Sequence, residues 1–182
     1  MLSQLQLWAR RSTWCGVLVA LIILLPLRAS AQNPDQSSFL ADTFKRVILD
    51  PTTYAPAVIS YNATMRDWNT SQPFFNNGYF EGNERFTLSG LPNDRPVSYS
   101  VGRQRILSDS LVTLQMSLAH NVADQMFERL LIDRFPTHRK LVRTIGWIER
   151  SAFASYMSYY LSVRHYRQAV VNQAYAQQMG LK

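Results

Sequence analysis

Cysteine is nearly absent from this chain of 182 residues, which has only Cys15. A lone thiol forms no intramolecular disulfide and cannot supply a multi-cysteine metal centre. Histidine is scarce, at three residues, and acids are outnumbered by bases, 12 to 19. Several motifs are missing altogether: the His-Glu-x-x-His zinc helix, the Gly-x-Ser-x-Gly elbow, the phosphate-binding Gly-x-x-x-x-Gly-Lys loop and the dinucleotide Gly-x-Gly-x-x-Gly turn. No cofactor is implied. Repeats and low-complexity tracts are also lacking. With 47% apolar and 17% charged residues the composition is too apolar for a disordered chain, and the length suits one domain.

The amino terminus reads as a signal peptide over residues 1–31. Arg10 and Arg11 form a basic start, an apolar stretch follows, and Ala29-Ser30-Ala31 fits the small-x-small cleavage pattern. The uncharged run 12–27 has 16 residues and contains Pro26, short of the roughly 20 that a spanning helix needs. Cys15 precedes the apolar stretch, the wrong place for a lipoprotein anchor. Cleavage leaves residues 32–182 as one cysteine-free domain with 16 basic and 12 acidic side chains, a net charge of +4. That charge, with no stacking motif, gives little drive for nucleic-acid binding. The expected compartment is the periplasm or exterior of a bacterium, where the sequons at Asn62 and Asn69 carry no meaning.

Periodicity in the remainder points to an all-α fold. Ser37 or Ser38 can cap a first helix carrying Phe39, Leu40, Thr43, Phe44, Val47 and Ile48, which Asp50-Pro51 ends. A second helix starts at Pro56, carries Val58, Ile59, Tyr61, Met65 and Trp68, and stops at Asn69-Thr70-Ser71. Residues 72–102 have no helical period and are punctuated by proline and glycine, so they read as a long aromatic loop, with a small hairpin pairing Phe86-Thr87-Leu88 with the run 97–101. A helical hairpin over residues 103–178 follows. Its first helix repeats Leu107, Leu111, Leu114, Leu118, Val122 and Met126. Its second repeats Leu141, Ile145, Ile148, Ala152, Tyr156, Tyr159, Val163, Tyr166 and Val170, with a bend allowed near Ser162. A turn at Phe135-Pro136-Thr137 makes the two antiparallel, with the two shorter helices packed against them. The expectation is that both apolar stripes face the core.

Candidate site residues lie on the opposite faces. Residues 134–182 hold eight basic side chains and one acid, Glu149. Among them Arg139, Arg143, Arg150 and Arg164 fall within about 60° of one another, away from the Leu141 stripe, and form the candidate ligand-binding face. Guanidinium groups so arranged suit phosphates, carboxylates or anionic lipid headgroups. Alternatively, the cations near the hairpin turn pair with Glu128 and Asp133 across it. His120, Asp124 and Glu128, at i, i+4 and i+8, form an incomplete metal-ligand row. They share their arc with Asp109, Thr113 and Ser117, and a water-facing strip explains all six. His120 and His138 are the candidate proton carriers. Two functional readings follow: an exported helical envelope protein that binds an anionic ligand, a membrane surface or an envelope protein, and a hydrolase or transferase that positions an anionic substrate with these arginines. The exported protein is expected to begin at Gln32. Amino-terminal sequencing or intact mass reads this directly, and retention of residues 1–31 would contradict it.

Overall fold

Pro51 and Pro56, two prolines that cannot sit inside a helix without cost, set where the first helices stop and start. The computed structural model describes residues 34–181, with side chains from residue 39; the signal-peptide reading lies outside the described residues. Four α-helices occur among them, with no strand: α1 (Pro34–Leu49), α2 (Ala55–Asn76), α3 (Tyr99–Arg134) and α4 (Arg139–Met179). The chain divides into two compact units after Leu49. In the first, α1 begins at Pro34 rather than after Ser37 or Ser38, since proline is well suited to a first helical turn. Its Thr43 hydroxyl donates to the Phe39 carbonyl.

In the second unit a 3-10 turn, Pro51–Thr53, precedes α2. The carboxylate of Asp50 caps it, accepting from the Thr52 amide at 3.0 Å and the Thr52 hydroxyl at 2.7 Å. Helix α2 continues past Asn69-Thr70-Ser71, contrary to the stop read there. The hydroxyls of Thr70 and Ser71 donate to the Asp67 carbonyl and the Gln72 amide to that of Trp68, so these polar side chains bond along the helix instead of unwinding it. The end comes at Gly78, whose φ of +84° allows the Tyr79 amide to reach back to the Phe74 carbonyl. The loop therefore spans residues 77–98. Its hairpin is reduced to two isolated antiparallel bridges, Glu81 with Asp94 and Thr87 with Pro96, and the Val97 amide donates to the Phe86 carbonyl at 2.7 Å.

Phe86 and Val97 fold onto Trp68 and Ile106 to form the main apolar cluster of this unit. The Trp68 indole donates to the Tyr99 carbonyl at 3.3 Å and packs against Gly102, where a Cβ would come within 2.3 Å of the ring. Gly102 thus sits inside α3, which starts four residues earlier than its glycine suggested. Helix α4 runs unbroken through Ser162 for 41 residues, about 60 Å. It is antiparallel to α3 across a 3-10 turn, Pro136–His138, and parallel to α2, since Asp67, Ser71 and Tyr79 meet His165, Asn172 and Met179 in ascending order.

Helix α4 faces the opposite way to the expectation and α3 does so in part: of its expected stripe Leu107 and Leu111 are exposed, Leu114, Leu118 and Met126 are half-buried and Val122 is buried. The side of α4 that packs inward carries Gly146, Arg150, Ala154, Ser158, Ser162 and Ala169, while Leu141, Ile145, Ile148, Tyr156 and Tyr159 are exposed. On α3 the interior takes Ile106, Ser110, Thr113, Ser117, Asn121 and Glu128, leaving Leu107, Leu111, Met116 and Phe127 outside. The small and polar strip read as water-facing is the packing seam. Close approach is the physical reason: a Cβ at Gly146 would lie 2.7 Å from a Glu128 carboxylate oxygen, so α4 meets α3 where a side chain is missing. Arg150, 5% exposed, is buried, and Ile148, 54% exposed, is not. In denaturant melts of the free protein, Arg150→Ala is expected to cost about 3–5 kcal/mol because it strands buried carboxylates. Ile148→Asp, on the outer face, is expected to stay within about 0.5 kcal/mol of wild type.

Candidate functional site

Three regions of the second unit could serve function: a buried ion cluster, a small cavity and an outer apolar face. The cluster centres on Arg150. Its Nε donates to Asp50 at 3.1 Å, and its Nη1 donates to Glu128 at 3.1 Å and also to Asp124. Asp50 divides its oxygens, one capping the 3-10 turn and the other holding Arg150. The Asn121 amide of α3 donates to both threonine hydroxyls of that turn, at 2.9 and 2.8 Å. Burial alone would lower the basicity of the Arg150 guanidinium, but its hydrogen bonds to the Glu128 and Asp124 carboxylates, with their charges, outweigh that and raise it. Arg150 therefore stays charged and contributes a fixed structural cation.

The other candidate residues are distributed as follows. Arg143, half-buried, brings Nε to 4.0 Å from Glu128, so the pairing expected across the hairpin involves this acid. Arg139 and His138 are exposed at the turn, and Arg164 is exposed some 25 residues further along α4. His120 lies 3.2 Å from Glu149 and stacks on Phe153 with centroids 3.7 Å apart. Asp124 and Glu128 turn to Arg150 while His120 turns to Glu149, so the three do not converge on one point, and no group of three metal-capable side chains occurs among the described residues. The four arginines do not form one continuous outer face, because Arg150 points inward.

Sequence reasoning missed a second polar arrangement. His165 Nδ1 lies 2.8 Å from Oδ2 of Asp67, whose Oδ1 accepts from the Asn172 amide at 3.3 Å. These residues are about 100 positions apart, and only the parallel packing of α2 and α4 unites them. His165 lines a cavity of about 220 Å³ between α2, α3, α4 and the 3-10 turn Glu84–Phe86. Across that cavity Arg85 is paired with Asp109.

The outer face of α4 presents Leu141, Ile145, Trp147, Ile148, Tyr156, Tyr159, Val170 and Val171 to the surroundings. Arg139, Lys140, Arg164 and Arg167 are exposed on the same helix. Among the described residues no helix is long and apolar enough to cross a membrane. No protein-family model, curated protein or solved structure matches the chain.

Near Asp67, burial first and then the Asp67 charge push the Glu81 carboxyl above its usual range, against the Asn83 amide, which donates to it at 2.6 Å and favours ionisation. A carboxyl raised on folding is protonated more readily in the folded state, so wild-type stability falls as pH rises through that raised value. Glu81→Gln keeps an acceptor for Asn83 and removes the charge. The variant is expected to be the more stable at neutral pH, with the gain vanishing in acid. Thermal melts at pH 4 and pH 7 read the difference.

Proposed function

We propose that this is an exported envelope protein that lies on an anionic lipid surface, with the outer faces of α3 and α4 in the interface. One observation carries the reading: along α4 the large apolar side chains point out while glycine, alanine, serine and a paired arginine point in, and along α3 Leu107, Leu111, Met116, Phe127 and Leu130 are likewise exposed while the buried side is mostly polar, with Ile106 and Val122 its large apolar members. A soluble monomer rarely leaves so large an apolar surface to water. Helices that pack within lipid use small residues for close approach and turn their ionisable groups to the bundle interior, the pattern of Gly146, Ala154, Ser158 and Arg150.

Chemistry favours a lipid surface over an apolar protein partner. Aromatic rings with a polar edge, such as Trp147, Tyr156, Tyr159 and Tyr160, suit the headgroup boundary, and exposed Arg139, Lys140, Arg164 and Arg167 complement anionic lipids. The lack of a spanning helix among the described residues is consistent with lying in the interface plane. In this reading the exposed candidates Arg139 and Arg164 would face the anionic surface, while Arg150 acts inside the bundle.

Vesicle co-sedimentation tests the reading. The protein is expected to bind phosphatidylglycerol vesicles, to bind phosphatidylcholine vesicles more weakly, and to release with salt. At about 1 kcal/mol per cation near the surface, the double variant Arg164→Ala/Arg167→Ala should lose roughly thirtyfold in affinity. The variant Ile145→Asp/Ile148→Asp should abolish binding while still melting cooperatively. A stable dimer in solution that these aspartates dissociate, with no binding to either vesicle, would overturn the proposal in favour of a second copy of the chain on this face.

A further inference from the structure

The cavity between α2, α3 and α4 is independent of the lipid-facing surface, and its lining is selective. At about 220 Å³ it lies below the roughly 300 Å³ at which pockets for drug-sized ligands begin, so its occupant is small. Phe86, Ile106 and Leu161 supply apolar wall. Three of the four hydroxyls on the polar wall have their protons committed: Ser60 donates to the Ala57 carbonyl at 3.1 Å, Ser110 to that of Ile106 at 3.0 Å and Thr113 to that of Asp109 at 3.0 Å, and Thr64 is the fourth. Each oxygen keeps a lone pair with which to accept.

His165 adds to this set. A carboxylate oxygen of Asp67 accepts from Nδ1–H at 2.8 Å, and in the uncharged tautomer that this contact selects, Nε2 is an acceptor. Donors come from the other side. The Asn83 side-chain carbonyl accepts from the Arg85 amide at 3.1 Å, which leaves its NH₂ as the donor end, and Arg85 itself is paired with Asp109. The Arg85 charge is therefore matched on the wall. A carboxylate or phosphate approaching Arg85 meets Asp109, and an ammonium approaching Asp109 meets Arg85.

We propose that this cavity binds a small neutral polyhydroxylated molecule, such as a cyclitol or monosaccharide, whose hydroxyls both donate to Ser110, Thr113 and His165 Nε2 and accept from Asn83, with its carbon face against Phe86 and Leu161. Alternating hydroxyls and C–H faces match a wall of mixed acceptors and donors with no net charge. Asp67 is a positioning residue here, since it fixes the imidazole tautomer and touches no ligand.

The test titrates the full chain with glycerol, myo-inositol and glucose, and separately with inorganic phosphate, acetate and methylamine, followed by ¹H–¹⁵N chemical shifts. Saturable binding of at least one polyol is expected, with none of the three charged probes competing. His165→Asn keeps a donor for Asp67 and deletes Nε2, and is expected to weaken polyol binding at least tenfold while the α2–α4 contact and the melting midpoint persist. Thr113→Val, nearly isosteric, should weaken it at least threefold and serves alone if His165→Asn fails to fold. No saturable polyol binding, stronger binding of phosphate, acetate or methylamine, or affinities unchanged in the variants would each overturn the proposal. None of these readings depends on vesicles, so this site and the lipid face fail separately.

Discussion

A guanidinium removed from water must be surrounded by acceptors, and Arg150 draws its three from separate places: Asp50 before α2, and Asp124 and Glu128 along α3. Meeting that requirement sets the rotation of both long helices. Once Arg150 points inward, every residue at its helical phase does too, and Ile148 and Tyr156 must point out. Gly146 lets Glu128 reach the guanidinium, and the Asp50 oxygen not used by Arg150 caps the turn that launches α2. A buried ion cluster contributes little net stability compared with a well-packed apolar one, but breaking it is costly, so it specifies arrangement more than it adds energy.

Trp68 is the apolar counterpart at the other end of the unit. Its ring fits against Gly102 and gathers Phe75, Phe86 and Val97, which ties the long loop to α2 and α3. Both anchors depend on a glycine that permits close approach, Gly146 in one case and Gly102 in the other. Between them the three helices touch through serine, threonine, alanine and asparagine, so the interior is thin in large apolar side chains. The apolar side chains that an ordinary bundle would bury lie outside, and the proposed environment supplies the apolar phase that the interior lacks.

The parallel packing of α2 and α4 has a separate consequence. It brings Asp67 and His165 into contact and leaves a cavity bordered by the loop turn at Phe86. The orienting carboxylate, the imidazole and the hydroxyls come from three helices, which hold them on rigid backbone; only Asn83, Arg85 and Phe86 come from the loop.

Helix existence, the turn at Phe135-Pro136, the break at Asp50-Pro51 and the all-α class are local properties, because backbone propensity and proline stereochemistry act within a few residues. Those were legible in the chain itself. Which side of α3 and α4 lies inside was not. A stripe of leucines at a 3.6-residue period has the same spacing whether it meets a core or a lipid, so periodicity reports that two faces differ without reporting which one is buried. The i+4 series Gly146, Arg150, Ala154, Ser158, Ser162 was visible, but its meaning depended on acids at positions 50, 124 and 128 that only folding gathers. The same holds for His165 and Asp67, and for Arg85 and Asp109. The sequence by itself determined which elements form and the proline-marked breaks between them; tertiary packing decided where α2 ends and α3 begins, and the pairing of distant charges, a long-range electrostatic requirement, decided how those elements are turned.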